Sequence, residues 1–328
     1  LGFVIIGGIT RIAGFASRVV PAMAALYLAG ALCVIISNYE NIIPSFLSIF
    51  TSAFTGSSAM GGFLGATFAF AANKGVGRGL FSNEAGQGSS AIAHASATTE
   101  EPVSEGMVSL LEPFIDTIII CTLTGLVILS SGVWLEKHEN IFQKSDFSII
   151  SGSYSDTVEE DKAALYKHLN FMDGSTIRTL DGEIDIVDGK MITNGATILN
   201  ARSVAENVVF SKDNLLYSGK LSVIDGNLGD SSVVVRGKSL IHSAALTSKA
   251  FTHSVVGDGG QYIVAVSLAL FAFSTAVAWS YYGDRAIIYL FGPKGILPYR
   301  LAYVIGFFVA SFADTTVIWT FAAITVAF

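Results

Sequence analysis

The chain has 328 residues, 52% of them apolar and only 14% charged, with a net charge of −7 and a mean hydropathy of +0.59. A soluble globular domain carries about 25% charged residues, so this composition excludes an ordinary soluble fold and points to a bilayer. The acidic balance and the lack of a basic cluster exclude nucleic acid as a partner.

Charge is unevenly placed. Residues 136–250 hold 16 acidic and 12 basic side chains. Elsewhere the only basic residues are Arg11, Arg18, Lys74, Arg78, Arg285, Lys294 and Arg300. Cys33 and Cys121 lie in apolar runs and read as small core hydrophobes. The histidines, at positions 94, 138, 168, 242 and 253, show no metal-ligand spacing. The chain opens at Leu1 and stops at Phe328, each inside an apolar run, so both ends are expected to be cuts.

In chain order, 1–9 reads as the tail of a span and 10–18 as a short basic connector. Residues 19–37 form a full-length apolar run with Pro21 near its start, and 41–54 a short apolar segment near the interface. Residues 57–73 read as a second crossing, rich in glycine at 61, 62 and 65, which lets helices approach or break. Residues 104–135 and 259–283 are further spans, since about 20 apolar residues cross a bilayer. Residues 301–312 and 315–328 read as a span and the start of the next, on either side of Asp314. At least four crossings are expected.

Residues 136–250 are of different texture. Asp-Gly or Asn-Gly pairs fall at 173, 181, 188, 194 and 225, between alternating runs such as Glu183-Ile184-Asp185-Ile186-Val187. That pattern predicts β-hairpins, hence a β-rich insertion, either a small sandwich or a solenoid. The positive-inside rule puts the connectors with Arg11 and Arg18, and with Arg285, Lys294 and Arg300, on the cytoplasmic side. The insertion is then extracytoplasmic. The expected domains are 1–135 (transmembrane), 136–250 (insertion) and 251–328 (transmembrane).

Residues 78–89 read Arg-Gly-Leu-Phe-Ser-Asn-Glu-Ala-Gly-Gln-Gly-Ser. This run resembles, without a break, the signature of the sodium:alanine (alanine/glycine:cation) symporter family. Phe114-Ile115-Asp116-Thr117, Ser131-Gly132-Val133-Trp134, Leu270-Phe271-Ala272-Phe273-Ser274-Thr275 and Tyr281-Tyr282-Gly283 resemble it too. The likeness covers most of 1–135 and 240–328 but not 136–240. It implies an all-α membrane protein of leucine-transporter-like inverted-repeat fold, with core helices 5 to 9 and part of 10 present, and the β-rich insertion added. It also implies transport of a small neutral amino acid with Na⁺ as coupling ion, no cofactor and a multi-pass location in the inner membrane.

Several residues then carry expected roles. Gly61, Gly62, Phe63, Gly65, Ala66 and Thr67 sit where the sixth core helix would break and free backbone groups for substrate; glycine-mediated helix packing is the plainer alternative. Phe271, Ser274 and Thr275 share one helical face and offer a carbonyl and two hydroxyls as sodium ligands. Alternatively, the hydroxyls bond back to their own helix. Trp279 would wall the substrate pocket, or sit at the membrane interface. Arg78, Asn83 and Glu84 suit a polar gate or a structural knot. Asp116, an acid within a span, is a functional suspect or a cap on a neighbouring helix.

No nucleotide-binding Gly-x-x-x-x-Gly-Lys motif, nucleophile triad or metal cluster argues for an enzyme. The competing function class is a membrane-anchored binding or sensory protein whose working part is the insertion.

Overall fold

The computed structural model describes residues 1–55, 63–82, 84 and 88–313. Contacts divide the chain into two compact units. One comprises Leu1–Asn38, Val76–Val127 and Phe251–Phe328; the other comprises Tyr39–Gly75 and Ile128–Ala250.

The first unit is built on two long helices, Ile9–Ser37 and Gly260–Phe291. Their apolar sequences bury one stripe each: Met23, Tyr27, Ala31 and Val34 on the first, Val264, Ser267, Ser274, Val277 and Tyr281 on the second. Small residues set the close approach. A Cβ added to Gly30 would lie 2.8 Å from Phe251 Cε1 and 2.9 Å from Ile263 Cγ2. Gly292, at φ 74°, ends the second helix in a conformation that costs glycine little. A short helix, Ile296–Ala310, packs against it.

The helical run Pro102–Ser131 is a third element of membrane length. Pro102 occupies its first turn, where a missing N–H costs nothing. Pro113 then removes a donor in mid-run, and the ladder widens to a π-helix over Phe114–Cys121 before returning to α over Thr122–Ser131.

Among its described residues the second unit contains three antiparallel sheets. Val234–Ser239 pairs with His138–Ile141 and Glu206–Lys212. Gly182–Val187 pairs with Gly219–Ile224 and Lys190–Met191. Phe147–Ser151 pairs with Ala196–Asn200, which continues into Ser203–Val204. Alternation does the sorting: Ile184 and Ile186 point inward while Glu183 and Asp185 point out. The inward residues join Phe147, Ile149, Phe210, Leu221, Val223 and Val235 in one core. A smaller core gathers Ile150, Leu165, Ile177 and Leu199 around Leu64, which is 1% exposed. Leu165 comes from the helix Glu159–Leu169, which the β reading of this region did not anticipate.

Two of the forecast turns are two-residue hairpin turns with positive φ at both positions: Asp188-Gly189 (48° and 76°) and Asp225-Gly226 (47° and 75°). Asp213-Asn214 makes a third and Ala201-Arg202 (47° and 60°) a fourth. The last uses no glycine, so it carries no sequence signal of its own.

The all-α, leucine-transporter-like fold expectation is corrected. The structure is 59% helix and 17% strand with several antiparallel sheets. Three helices among the described residues are long and apolar enough to cross a membrane, Ile9–Ser37, Pro102–Ser131 and Gly257–Phe291, where at least four were expected. The physical reason for the shortfall lies in the glycine-rich run. Gly65 takes φ +82°, so the helix beyond starts afresh at Phe68 and runs only to Ser82. At 1.5 Å per residue its 15 residues reach about 22 Å, short of the ~30 Å hydrocarbon core. Residues 56–62 and 314–328 of the expected spans lie outside the described residues. The basic connector expected at 10–18 is helical, as the first turns of Ile9–Ser37.

Candidate functional site

The expected substrate segment lies in the second unit. Gly61 and Gly62 are outside the described residues. From Phe63 to Thr67 the backbone is extended and turned rather than helical. Thr67 then starts the next helix: its Oγ1 accepts the Phe70 N–H at 3.2 Å, an N-cap bond. Phe63 packs edge-on to Trp134, ring centroids 6.1 Å apart, and Ala66 is buried.

The freed backbone groups of this turn are engaged by the β-rich part of the unit. The Leu64 N–H donates to the Arg202 carbonyl at 3.2 Å, and the Thr67 N–H to Asn170 Oδ1 at 3.1 Å. The Gly65 carbonyl accepts from Arg202 Nε at 3.1 Å and Nη2 at 2.5 Å. Arg202 also donates to the Leu169 carbonyl (3.2 Å) and Asn170 Oδ1 (2.9 Å), and its guanidinium lies 4.3 Å over the Phe70 ring. Burial pulls its pKa below the ordinary arginine value, yet arginine remains charged.

The expected sodium ligands lie in the first unit, on Gly260–Phe291. Ser274 is buried and Thr275 exposed, so packing separates the two hydroxyls. Ser274 Oγ donates to the Phe271 carbonyl at 3.0 Å and lies 3.7 Å from Met23 Sδ. The bond back to its own helix is therefore the arrangement seen here. Phe271 O and Ser274 Oγ remain adjacent, facing the Ile9–Ser37 helix; together they offer two hard oxygens of the kind a small cation takes.

Trp279 belongs to the first unit and the glycine-rich turn to the second. Its Nε1 donates to Glu84 Oε1 at 2.7 Å, joining two residues assigned to different roles. Asn83 is outside the described residues, and Arg78 is exposed on the helix Phe68–Ser82. Asp116, on the π-helical turn, accepts a hydrogen bond from Ser82 Oγ. The acid within the span thus holds the end of the signature helix.

Two polar groupings escaped sequence reasoning. His94 Nδ1 donates to Glu105 at 2.6 Å, and its Nε2 is 3.6 Å from Glu112. The hydrogen bond that His94 donates to Glu105 raises the His94 pKa, burial opposes it, and the two carboxylate charges add to the rise. Arg300 grips Asp284 through Nε (3.1 Å) and Nη2 (2.7 Å) and reaches the Ile6 carbonyl at 3.0 Å. Sequence reading placed Arg300 in a cytoplasmic connector; it stands inside Ile296–Ala310 with a buried partner. The only available signal was an acid at the end of an apolar run. No grouping of three or more His, Cys, Asp or Glu suited to a metal occurs among the described residues.

A sequence profile described as Sodium:alanine symporter family matches residues 1–158 and 230–328. The chain is 30% identical over 324 residues to an uncharacterized transporter of Haemophilus influenzae, covering 99% of this chain and 49% of that protein. It is 46% identical over 138 residues to the uncharacterized transporter YflA of Bacillus subtilis, 42% of this chain and 29% of that one. It is 29% identical over 319 residues to the sodium/alanine symporter AgcS of Methanococcus maripaludis, 97% of this chain and 47% of that one. The chain spans about half the length, or less, of these curated relatives. With the profile matching on both sides of the β-rich stretch, the chain belongs to the sodium:alanine symporter family, a family of membrane transporters and not of enzymes.

Proposed function

We propose that this chain is part of a secondary transporter that moves a small neutral amino acid, of alanine or glycine type, together with Na⁺ across the inner membrane. The observation that carries the reading is where the family profile falls. Its two matched stretches contain every residue assigned above to substrate, ion or gate. Relatives named as a sodium/alanine symporter and as a sodium/proton-dependent alanine carrier protein support the same reading; a probable sodium/glutamine symporter among them widens the substrate range.

In this reading the 63–67 turn contributes backbone groups to substrate, and Phe271, Ser274 and Thr275 contribute oxygens to Na⁺. Ser274 must turn its hydroxyl from the Phe271 carbonyl for both oxygens to face an ion. Glu84 and Trp279, and Ser82 and Asp116, form polar latches around the signature, and Arg78 joins that polar end; Asn83 keeps its expected gating role. The multi-pass chain carries residues 136–250 on the extracytoplasmic side. The test is uptake of labelled alanine by the full-length protein in proteoliposomes. Uptake should require an inward Na⁺ gradient, and Ser274→Ala should shift the Na⁺ activation curve to higher concentration. Uptake indifferent to replacing Na⁺ by choline would count against the reading.

One observation favours the second reading, a membrane-anchored binding protein. The β-rich part has a cavity of about 840 Å³ whose lining includes Tyr154, Asp161, Lys190, Thr197 and Asn207. If Lys190→Glu abolished amino-acid binding while Ser274→Ala left it intact, that reading would gain.

A further inference from the structure

The groups around the Arg202 guanidinium make a cage for an organic cation. Its oxygens are the Gly65 carbonyl, the Leu169 carbonyl and Asn170 Oδ1, and the Phe70 ring closes one side. All of these are neutral. Among the described residues no carboxylate pairs with Arg202, so a half-buried cation is held by dipoles and an aromatic face alone. That is the chemistry by which proteins bind ammonium and guanidinium groups rather than the chemistry of a structural ion pair.

The cage is also held in shape without the guanidinium. Asn170 Nδ2 donates to the Tyr166 carbonyl at 2.8 Å, which fixes its Oδ1 toward the cage. The Thr67 N–H bonds the same Oδ1, and Gly65 at φ +82° turns its carbonyl out of helical register. The arginine, in contrast, arrives on strained backbone. Ala201 and Arg202 both have positive φ, a conformation disfavoured for residues with a Cβ. Such strain persists where surrounding contacts over-determine it.

We propose that this cage is a binding site for a primary ammonium or guanidinium group, and that Arg202 is its tethered occupant, competing with the ammonium group of the transported amino acid. The proposal rests on the transport reading above. Both N–H bonds to Gly65 O come from one guanidinium, which uses the two lone pairs that carbonyl can offer. An incoming ammonium group therefore binds there only when Arg202 withdraws. The β-rich insertion thereby sets the apparent affinity of the transporter.

Two substitutions in the full-length protein move that affinity in opposite directions. Arg202→Ala empties the cage, so the KM for alanine should fall severalfold with Vmax within about twofold. Asn170→Asp supplies the missing counter-charge and holds Arg202 more tightly, so the KM should rise. A merely structural role would weaken transport in both variants. Arg202→Lys, which keeps a cation in the cage, should stay near the parent. Guanidinium chloride at millimolar concentration should inhibit Arg202→Ala competitively and the parent about tenfold less.

Amide exchange at Leu64 and Thr67 reads the cage without transport. Exchange should quicken in Arg202→Ala and slow again when guanidinium is added. If the full-length parent carries no amino acid, the transport reading falls and exchange alone judges the cage. Unchanged exchange on adding guanidinium, or the same direction of KM change in both variants, overturns the proposal. Should Arg202→Ala not fold, an unchanged KM in folded Asn170→Asp overturns it equally.

Discussion

Arg300 holds Asp284 through two nitrogens, and the Asp284 side chain is only 5% exposed. The pair ties the Gly260–Phe291 helix to Ile296–Ala310, while the remaining Arg300 nitrogen reaches the Ile6 carbonyl. Removing one partner of such a pair leaves a buried charge with nothing to meet it, a cost of about 3–5 kcal/mol. Arg300→Ala in the full-length protein should therefore lower the unfolding midpoint steeply. The double variant Asp284→Leu with Arg300→Leu should recover much of the loss, because no charge is then stranded. Equal loss in single and double variants would contradict this account.

His94 predicts a pH dependence of stability. Glu105 raises its folded-state pKa above the ordinary 6.5. The ion pair's contribution is thus complete below 6.5 and is lost as pH rises through the raised value. Glu112 faces the other ring nitrogen, and Tyr282, on a helix packed against Ser89–His94, faces Glu112. The thermal midpoint should fall as pH rises above 6.5 through the raised His94 pKa, and the fall should be smaller in Glu105→Gln. Thermal scans of both proteins on either side of pH 6.5 provide the check.

Gly30 is a packing contact. Alanine there would press Phe251 and Ile263, both under 3.0 Å from the added Cβ. Overpacking of this kind costs about 1–3 kcal/mol. Gly30→Ala should lower the unfolding midpoint, whereas Gly14→Ala on the same helix, with nothing within 4 Å, should not. A matched effect in the two would count against close packing at Gly30.

The side of the membrane is open to direct chemical labelling. A cysteine at Ser153, in a variant lacking Cys33 and Cys121, should react with an impermeant thiol reagent added outside intact cells. Protection there, with reaction only after permeabilisation, would place residues 136–250 on the cytoplasmic side.

What the sequence disclosed follows the range of the forces involved. Asp188-Gly189 and Asp225-Gly226 announce their turns because the needed φ values favour glycine locally. The alternation of Ile184 and Ile186 with acids announces which face is buried. Ala201-Arg202 announces nothing, since its conformation is imposed by what Arg202 reaches: Gly65, 137 residues away. The Ser82–Asp116 and Trp279–Glu84 bonds are likewise long-range, so the residues were legible as polar suspects but their partners were not. Ser274 is an ion ligand only by what the family resemblance implies; its bond to Phe271 O is one that any helical serine can make.

Leu64 has a consequence for anyone wishing to transplant the β-rich stretch. Its side chain precedes that stretch in the chain, yet it fills the centre of the core formed by Ile150, Leu165, Ile177 and Leu199. Cutting out 136–250 would leave an uncovered leucine behind and carry away a core with a hole in it. The stretch is therefore not a portable cassette: a chimaera that moves it into a relative must bring residues 63–67 along, or fill the vacated space from within.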